Sequence, residues 1–229
     1  MAIKFTSTKV ASEQSGLKFL IHGPAGVGKT TLAATTGEPT LIISAEGGLL
    51  ALRNHDIPAI EITCWQDLVD AYNFVATNPD AAVFKWIALD SISEIAEVCL
   101  AAEKAKAPDP RQAYGATQDK VFDLIRRFRN LEGKHVYFVC KQGREKDETS
   151  GATLFTPSMP GNKLGQGIAY HFDEVFAMRV VPDETGQLVR VLQTGRDLSY
   201  EAKDRSGALA MYEPANLKHI ADKILGRAS

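Results

Sequence analysis

Gly23-Pro24-Ala25-Gly26-Val27-Gly28-Lys29-Thr30 is the stretch on which the reading of this chain turns. Its spacing is G-x-x-x-x-G-K-[ST], and a chance match in a chain this long has odds on the order of one per cent. A short β-rich run at residues 18–22 precedes it, and a helix is expected from about Lys29. Glycines let the backbone fold tightly and aim successive N–H groups at phosphate oxygens, while a helix start adds partial positive charge. Gly23, Pro24, Ala25, Gly26, Val27, Gly28, Lys29, Thr30 and Thr31 therefore form the candidate nucleotide-binding set. Lys29 offers a mobile charge to the β- and γ-phosphates, and Thr30 offers a hydroxyl to Mg²⁺. The plainer alternative is a glycine-rich turn that happens to end in lysine.

Outward from this turn, short apolar runs alternate with helical patterns, the signature of an α/β fold with a mostly parallel central sheet. Strands are expected at residues 40–44, 59–63, 84–89 and 135–140. Ser91-Ile92-Ser93-Glu94 has capping-box spacing, and Ile92, Ile95, Ala96, Cys99 and Leu100 then fall on one helical face. The Ala107-Pro108-Asp109-Pro110 segment stops that helix. A further helix turns Val121, Leu124, Ile125, Phe128 and Leu131 inward. Residues 143–164 show no periodicity and read as a long functional loop. Runs at 174–180 and 188–193, separated by the turn residues 183–186, read as an antiparallel hairpin. The last helix is expected on Leu217, Ile220, Ala221 and Ile224, with Pro214 in its first turn.

Composition narrows the function classes. Hydrophobic residues make up 45% of the 229 and charged residues 24%, an ordinary globular balance. Lys+Arg 26 against Asp+Glu 28 leaves a net charge of −2, so any polyanion must be held locally. The apolar runs are far shorter than the roughly 20 residues of a spanning helix, and the N-terminus lacks the apolar core of a signal peptide. Cys64, Cys99 and Cys140 are spaced apart in apolar stretches and read as buried thiols in a reducing cytosol. A cytoplasmic protein without a membrane partner is expected. Residues 1–16 read as an N-terminal extension and 17–229 as a single domain. Ile3-Lys4-Phe5-Thr6 is either a strand for pairing with a neighbouring copy or a frayed terminus.

Two carboxylates complete the candidate site. Trp86-Ile87-Ala88-Leu89-Asp90 is an apolar strand ending in an acid, and ligands in such folds gather at the carboxyl ends of the strands. Asp90 is thus the candidate metal residue, or else a helix cap, a role Ser91 already fills. The next residue, Ser91, cannot activate water. Glu46, just past the second strand, emerges at the same sheet edge and is the candidate base; otherwise it is a solvated loop residue before Gly47-Gly48.

Together these features resemble the RecA-type recombinase ATPases over residues 17–205. In that family a phosphate loop is followed by a strand with a catalytic glutamate, here Glu46. A metal-binding strand ending Asp-Ser follows, here Asp90-Ser91, and then a strand ending near a glutamine that senses the γ-phosphate, here Gln142 after Val136-Tyr137-Phe138-Val139-Cys140-Lys141, the alternative being a surface glutamine with no role. The resemblance implies ATP as the nucleotide and puts two DNA-binding loops at residues 107–117 and 143–164. The first carries Arg111 and Tyr114; the second carries Arg144, Lys146, Phe155 and Lys163, diluted by Asp147 and Glu148. Cations for phosphates and aromatics for base stacking are what single-strand binding uses. A solvated charged loop is the alternative.

Ala202-Lys203-Asp204-Arg205-Ser206-Gly207 is similar to the K-x-R finger of RecA- and KaiC-like proteins. That likeness implies a homo-oligomeric ring or filament in which Lys203 and Arg205 reach a neighbour's γ-phosphate, unless they form a surface ion-pair cluster with Asp204 and Glu201. The compact core resembles the core-only ATPases of bacteriophages, which implies single-strand annealing in a bacterial host cytoplasm beside a single-strand binding protein. A P-loop kinase for a small metabolite and a KaiC-like regulatory module are the competing readings.

Overall fold

The computed structural model describes residues 5–8, 10, 15–146 and 151–227, with the backbone alone at residue 162. Ile3, Lys4, Asp147 and Glu148 lie outside the described residues.

The chain runs β1 (Lys18–Gly23), a 3₁₀ helix (Thr30–Thr35), β2 (Thr40–Ser44), β3 (Ala59–Glu61), α1 (Trp65–Thr77), β4 (Trp86–Asp90), α2 (Ile92–Lys104) and α3 (Pro110–Arg129). It continues through β5 (His135–Lys146), β6 (Thr153–Ser158), α4 (Asn162–Ile168), β7 (Glu174–Pro182), β8 (Leu188–Gln193), β9 (Lys203–Asp204), β10 (Tyr212–Pro214) and α5 (Leu217–Ile224). Among the described residues, all ten strands join one sheet in the order β10-β8-β7-β1-β5-β4-β2-β3, with β6 on β5 and β9 on β7. The pairs among β7, β1, β5, β4, β2 and β3 are parallel, while β8, β10, β6 and β9 pair antiparallel.

The central strands read as unbroken apolar runs because both faces are covered. Leu20, Leu41, Ile43, Ile87, Leu89, Val136 and Phe138 face the helices α1 to α4. Their neighbours Phe19, Ile21, Ile42, Trp86, Ala88, Tyr137 and Val139 face the 3₁₀ helix and α5. This period-2 partition of each strand fixes its register, since a one-residue slip would exchange the two cores. It also delivers Gly23, Ser44, Asp90 and Gln142 to one edge of the sheet.

The segment after the phosphate loop is a six-residue 3₁₀ helix instead of the expected longer one. Threonine-rich sequence explains it. Thr31, Thr35 and Thr36 donate their hydroxyls to carbonyls three residues back, at 2.7, 2.8 and 3.3 Å, so the side chains compete for the α-helical ladder's acceptors. Gly37 at φ +71° ends it.

Both expected loops are corrected. Residues 110–117 form the first two turns of α3, capped by Asp109 accepting from the Arg111 N–H, with Pro110 in the first turn. Residues 143–146 extend β5, residues 153–158 return as β6, and α4 follows. Pro214 lies in β10, and α5 starts later with Asn216 as its cap. Cys99 and Cys140 are buried, but Cys64 is exposed at the start of α1.

Candidate nucleotide site

The phosphate loop leaves β1 at Gly23 and closes at the 3₁₀ helix. Gly26 and Gly28 adopt φ of +75° and +108°, a region that only glycine enters freely. At Gly23 the constraint is space, since a Cβ there would lie 2.8 Å from the Met178 carbonyl oxygen. Lys29 Nζ donates to the Gly23 and Pro24 carbonyls, at 2.8 and 2.9 Å, and so lies across the mouth of its own loop. Burial lowers its pKa, and the nearby Asp90 and Glu46 carboxylates partly restore it. The loop is braced from β8, where Arg190 Nε donates to the Val27 carbonyl at 2.8 Å.

β4 ends beside it. Thr30 Oγ1 donates to Asp90 Oδ2 at 2.5 Å, so the two residues proposed for the metal already touch. Asp90 is only 4% exposed, and burial pushes its carboxyl pKa up against the opposing effects of the Thr30 hydrogen bond and the Lys29 charge. A buried carboxylate held by one hydroxyl is the donor set a hard cation completes with phosphate oxygens and water. No group of three or more His, Cys, Asp or Glu side chains that could hold a metal alone occurs among the described residues.

Glu46 follows β2, and the Ala45 N–H donates to the Asp90 carbonyl at 2.8 Å, tying this turn to β4. Ser91 donates its hydroxyl to Glu46 Oε1 and also caps α2, accepting from the Glu94 N–H. Gln142 lies one residue past the Gly23–Lys141 pairing of β1 and β5. Its Oε1 is buried without a hydrogen-bond partner. The structure therefore gathers Lys29, Thr30, Glu46, Asp90 and Gln142 at one strand-end edge.

Lys203 and Arg205 are not part of that cluster. Segment β9 pairs with Glu174 and Val175, which stand beside Phe19 and Leu20 near the opposite end of β1 from Gly23. Lys203 Nζ is tied to the Ala169 and Phe172 carbonyls at 2.7 and 2.5 Å, and Arg205 pairs with Asp173 at 2.7 Å. Burial lowers the Lys203 pKa. The lysine thus anchors the chain after α4, and Arg205 is exposed with its guanidinium paired to Asp173.

Of the six candidate DNA residues, three converge. Arg111 and Tyr114 on α3 and Lys163 on α4 line a groove of about 650 Å³ with Gly115, Gln118 and Leu164. Tyr114 is 41% exposed, and Lys104 Nζ stands 5.2 Å from its ring centre. The other three lie on the β5–β6 hairpin. Phe155 stacks on Tyr200 at 4.8 Å and carries Arg144 over its ring at 5.5 Å, so its faces are engaged within the chain. Lys146 is exposed at the end of β5.

Sequence reading missed two neighbours of the phosphate loop. Arg179 and Tyr200, with the guanidinium 4.2 Å from the ring centre, line a hollow of about 370 Å³ against Pro24, Ala25, Gly26 and Val27. Nothing in their spacing signals this, because the sheet brings them there from far along the chain. Lys141 precedes Gln142 and reaches Glu94 at 2.6 Å and Glu46 at 3.8 Å. Its adjacency to Gln142 was the available signal.

No curated protein sequence shows a significant match to the chain. A family model described as an AAA domain matches residues 15–206, which span the phosphate loop, both carboxylates and Gln142. On that match and the geometry just described, the chain belongs to the AAA-domain family of P-loop ATPases.

Proposed function

We propose that this ATPase is a self-assembling, single-stranded-DNA-binding protein whose nucleotide cycle serves annealing or recombination. The observation that carries the DNA reading is the groove where Arg111, Tyr114 and Lys163 meet from two separate segments. Two cations and an exposed aromatic around one groove suit a flexible backbone with stacked bases. The net charge of −2 means that this binding is local and salt-sensitive.

The chemistry at the other site follows from its residues. The N–H groups of the loop and Lys29 hold the triphosphate, and Thr30 with Asp90 would hold Mg²⁺. Bound there, the ion offsets negative charge on the phosphate oxygens. Glu46, steadied by the Ser91 hydroxyl, orients a water and accepts its proton. The water oxygen bonds to the terminal phosphorus as the bond from phosphorus to the bridging oxygen breaks, leaving ADP and inorganic phosphate. Gln142 presents an amide whose nitrogen can donate to the terminal phosphate and whose unpartnered oxygen can accept from the water. Arg205, the exposed member of the K-x-R segment, is the residue proposed to reach a neighbouring copy.

The test is phosphate release with and without single-stranded DNA at about 50 mM salt, where phosphate contacts are little screened. Stimulation by DNA, a mobility shift, and loss of nucleotide binding in Lys29→Ala are expected. No stimulation together with no shift would refute the DNA half.

A further inference from the structure

Lys141 is held at the cleavage edge by an arrangement the nucleotide chemistry above does not use. Its backbone pairs with Gly23 at the root of the phosphate loop, and its N–H donates to Ser93 Oγ at 2.9 Å. Its ammonium lies 2.6 Å from Glu94 Oε2 and 3.8 Å from Glu46 Oε1, so one cation is shared by two carboxylates. Glu46 is bracketed between this ammonium and the Ser91 hydroxyl. Ser91 caps α2, and Ser93 and Glu94 belong to its first turn, just after Asp90. Meanwhile Lys203 is spent on two carbonyls of its own chain, so the K-x-R segment offers no second ammonium.

We infer that Lys141 is an in-cis positioning residue for Glu46, and that Glu94 is the clamp that keeps it partly withdrawn at rest. With Lys141 drawn toward Glu46, the carboxylate is fixed in orientation beside the terminal phosphate, and a positive charge stands where negative charge accumulates during cleavage. With Lys141 on Glu94, Glu46 is steadied by Ser91 alone and turnover is slow. The two partners differ by 1.2 Å in distance (3.8 − 2.6) on a side chain that is 48% exposed, so a single rotamer change exchanges them. This inference rests on Glu46 being the water-orienting group.

The experiment uses the full chain and measures phosphate release and, separately, binding of a fluorescent ATP analogue. Lys141→Met is expected to lower kcat about tenfold while nucleotide affinity stays within about twofold, since one preorganised electrostatic contact is lost and the phosphate loop is intact. Lys141→Arg restores most of kcat. Glu94→Gln, which loosens the clamp, raises basal kcat about threefold, and that gain disappears in the double variant with Lys141→Met. Thermal midpoints of all variants within a few degrees of the parent exclude misfolding. Unchanged kcat in Lys141→Met, or a Glu94→Gln gain that persists without Lys141, would overturn the inference and leave the ATPase reading standing. A parent chain that binds nucleotide and never hydrolyses it, alone or with DNA, would instead overturn both.

Discussion

Exchanging Gln142 for methionine separates folding stability from function at one atom. Gln142 Oε1 is buried with no hydrogen-bond partner. A buried acceptor left unpaired costs about 1–3 kcal/mol, whereas a thioether of similar length asks for no partner. Part of that gain is lost with the other contacts of the amide, leaving a net stabilisation of about 1 kcal/mol for the nucleotide-free chain. For a chain of 229 residues this corresponds to a rise in Tm of about 2–4 °C. The same change removes the amide from the edge proposed for the terminal phosphate, so phosphate release should fall about 10²-fold, the scale of losing one preorganised donor. Affinity should survive, because the loop glycines and Lys29 are untouched. A non-hydrolysable ATP analogue at 100 times its Kd should then stabilise parent and variant alike, by about 2.7 kcal/mol. Calorimetric melting with and without analogue, paired with a phosphate-release assay, reads all three quantities. A variant that melts below the parent without nucleotide would refute the claim that the unpartnered oxygen is a cost carried for function.

Glu46→Gln keeps the Ser91 contact but loses the proton acceptor, so nucleotide binding should persist while turnover drops by at least about 10²-fold in a single-turnover assay. Tyr114→Ala should weaken single-stranded DNA by about tenfold in fluorescence anisotropy, the scale of one lost stacking contact, without altering nucleotide affinity. Glu174 is buried beside Asp204, and burial with that neighbour raises its pKa from 4.5 to about 8. Its proton is therefore held in the folded chain and lost in the unfolded one between those values. The stability it contributes is full below about pH 4.5 and is lost as pH rises through about 8. Melting from pH 5 to pH 9 should fall less steeply in Glu174→Gln than in the parent.

The parts of the site that could be read in the sequence are those fixed by short-range rules. The loop glycines announce themselves because Gly26 and Gly28 need φ values that other residues resist. Asp90 and Glu46 are legible because one ends an apolar strand and the other follows one closely, and parallel strands buried on both faces must deliver their ends to one edge. The missed features depend on contacts of another kind. The start of α3 buries Ala113 and Thr117, residues too small or polar to show as an apolar stripe, so its first two turns carry no helical periodicity despite Asp109 and Pro110 at their head. Segment β6, Thr-Leu-Phe-Thr-Pro-Ser, does not alternate, because its pairing with β5 beyond the main sheet leaves it without one wet face and one dry face. Tyr200 reaches Phe155 and the loop only through long-range pairing, which no local pattern encodes.

A common physical thread joins three residues of the proposed site. Asp90 is a buried acid whose pKa is pushed up, Lys29 a half-buried ammonium whose pKa is pushed down, and Gln142 a half-buried amide whose oxygen is buried and unpaired. Asp90 is met by a neutral hydroxyl, Lys29 by two neutral carbonyls and the Gln142 oxygen by no hydrogen-bond partner, and all three stand at the same strand ends. Their deficits are complementary: the acid lacks a cation, while the ammonium and the amide lack an anion. A triphosphate with its metal ion would supply both at once, whereas a neutral ligand or a phosphate without metal would leave Asp90 uncompensated. Nucleotide added with Mg²⁺ should therefore raise Tm by more than nucleotide added with a chelator, and in Asp90→Asn that difference should shrink toward zero. An equal rise with and without metal in the parent would mean that Asp90 is merely a buried acid and that the metal half of the site is misread.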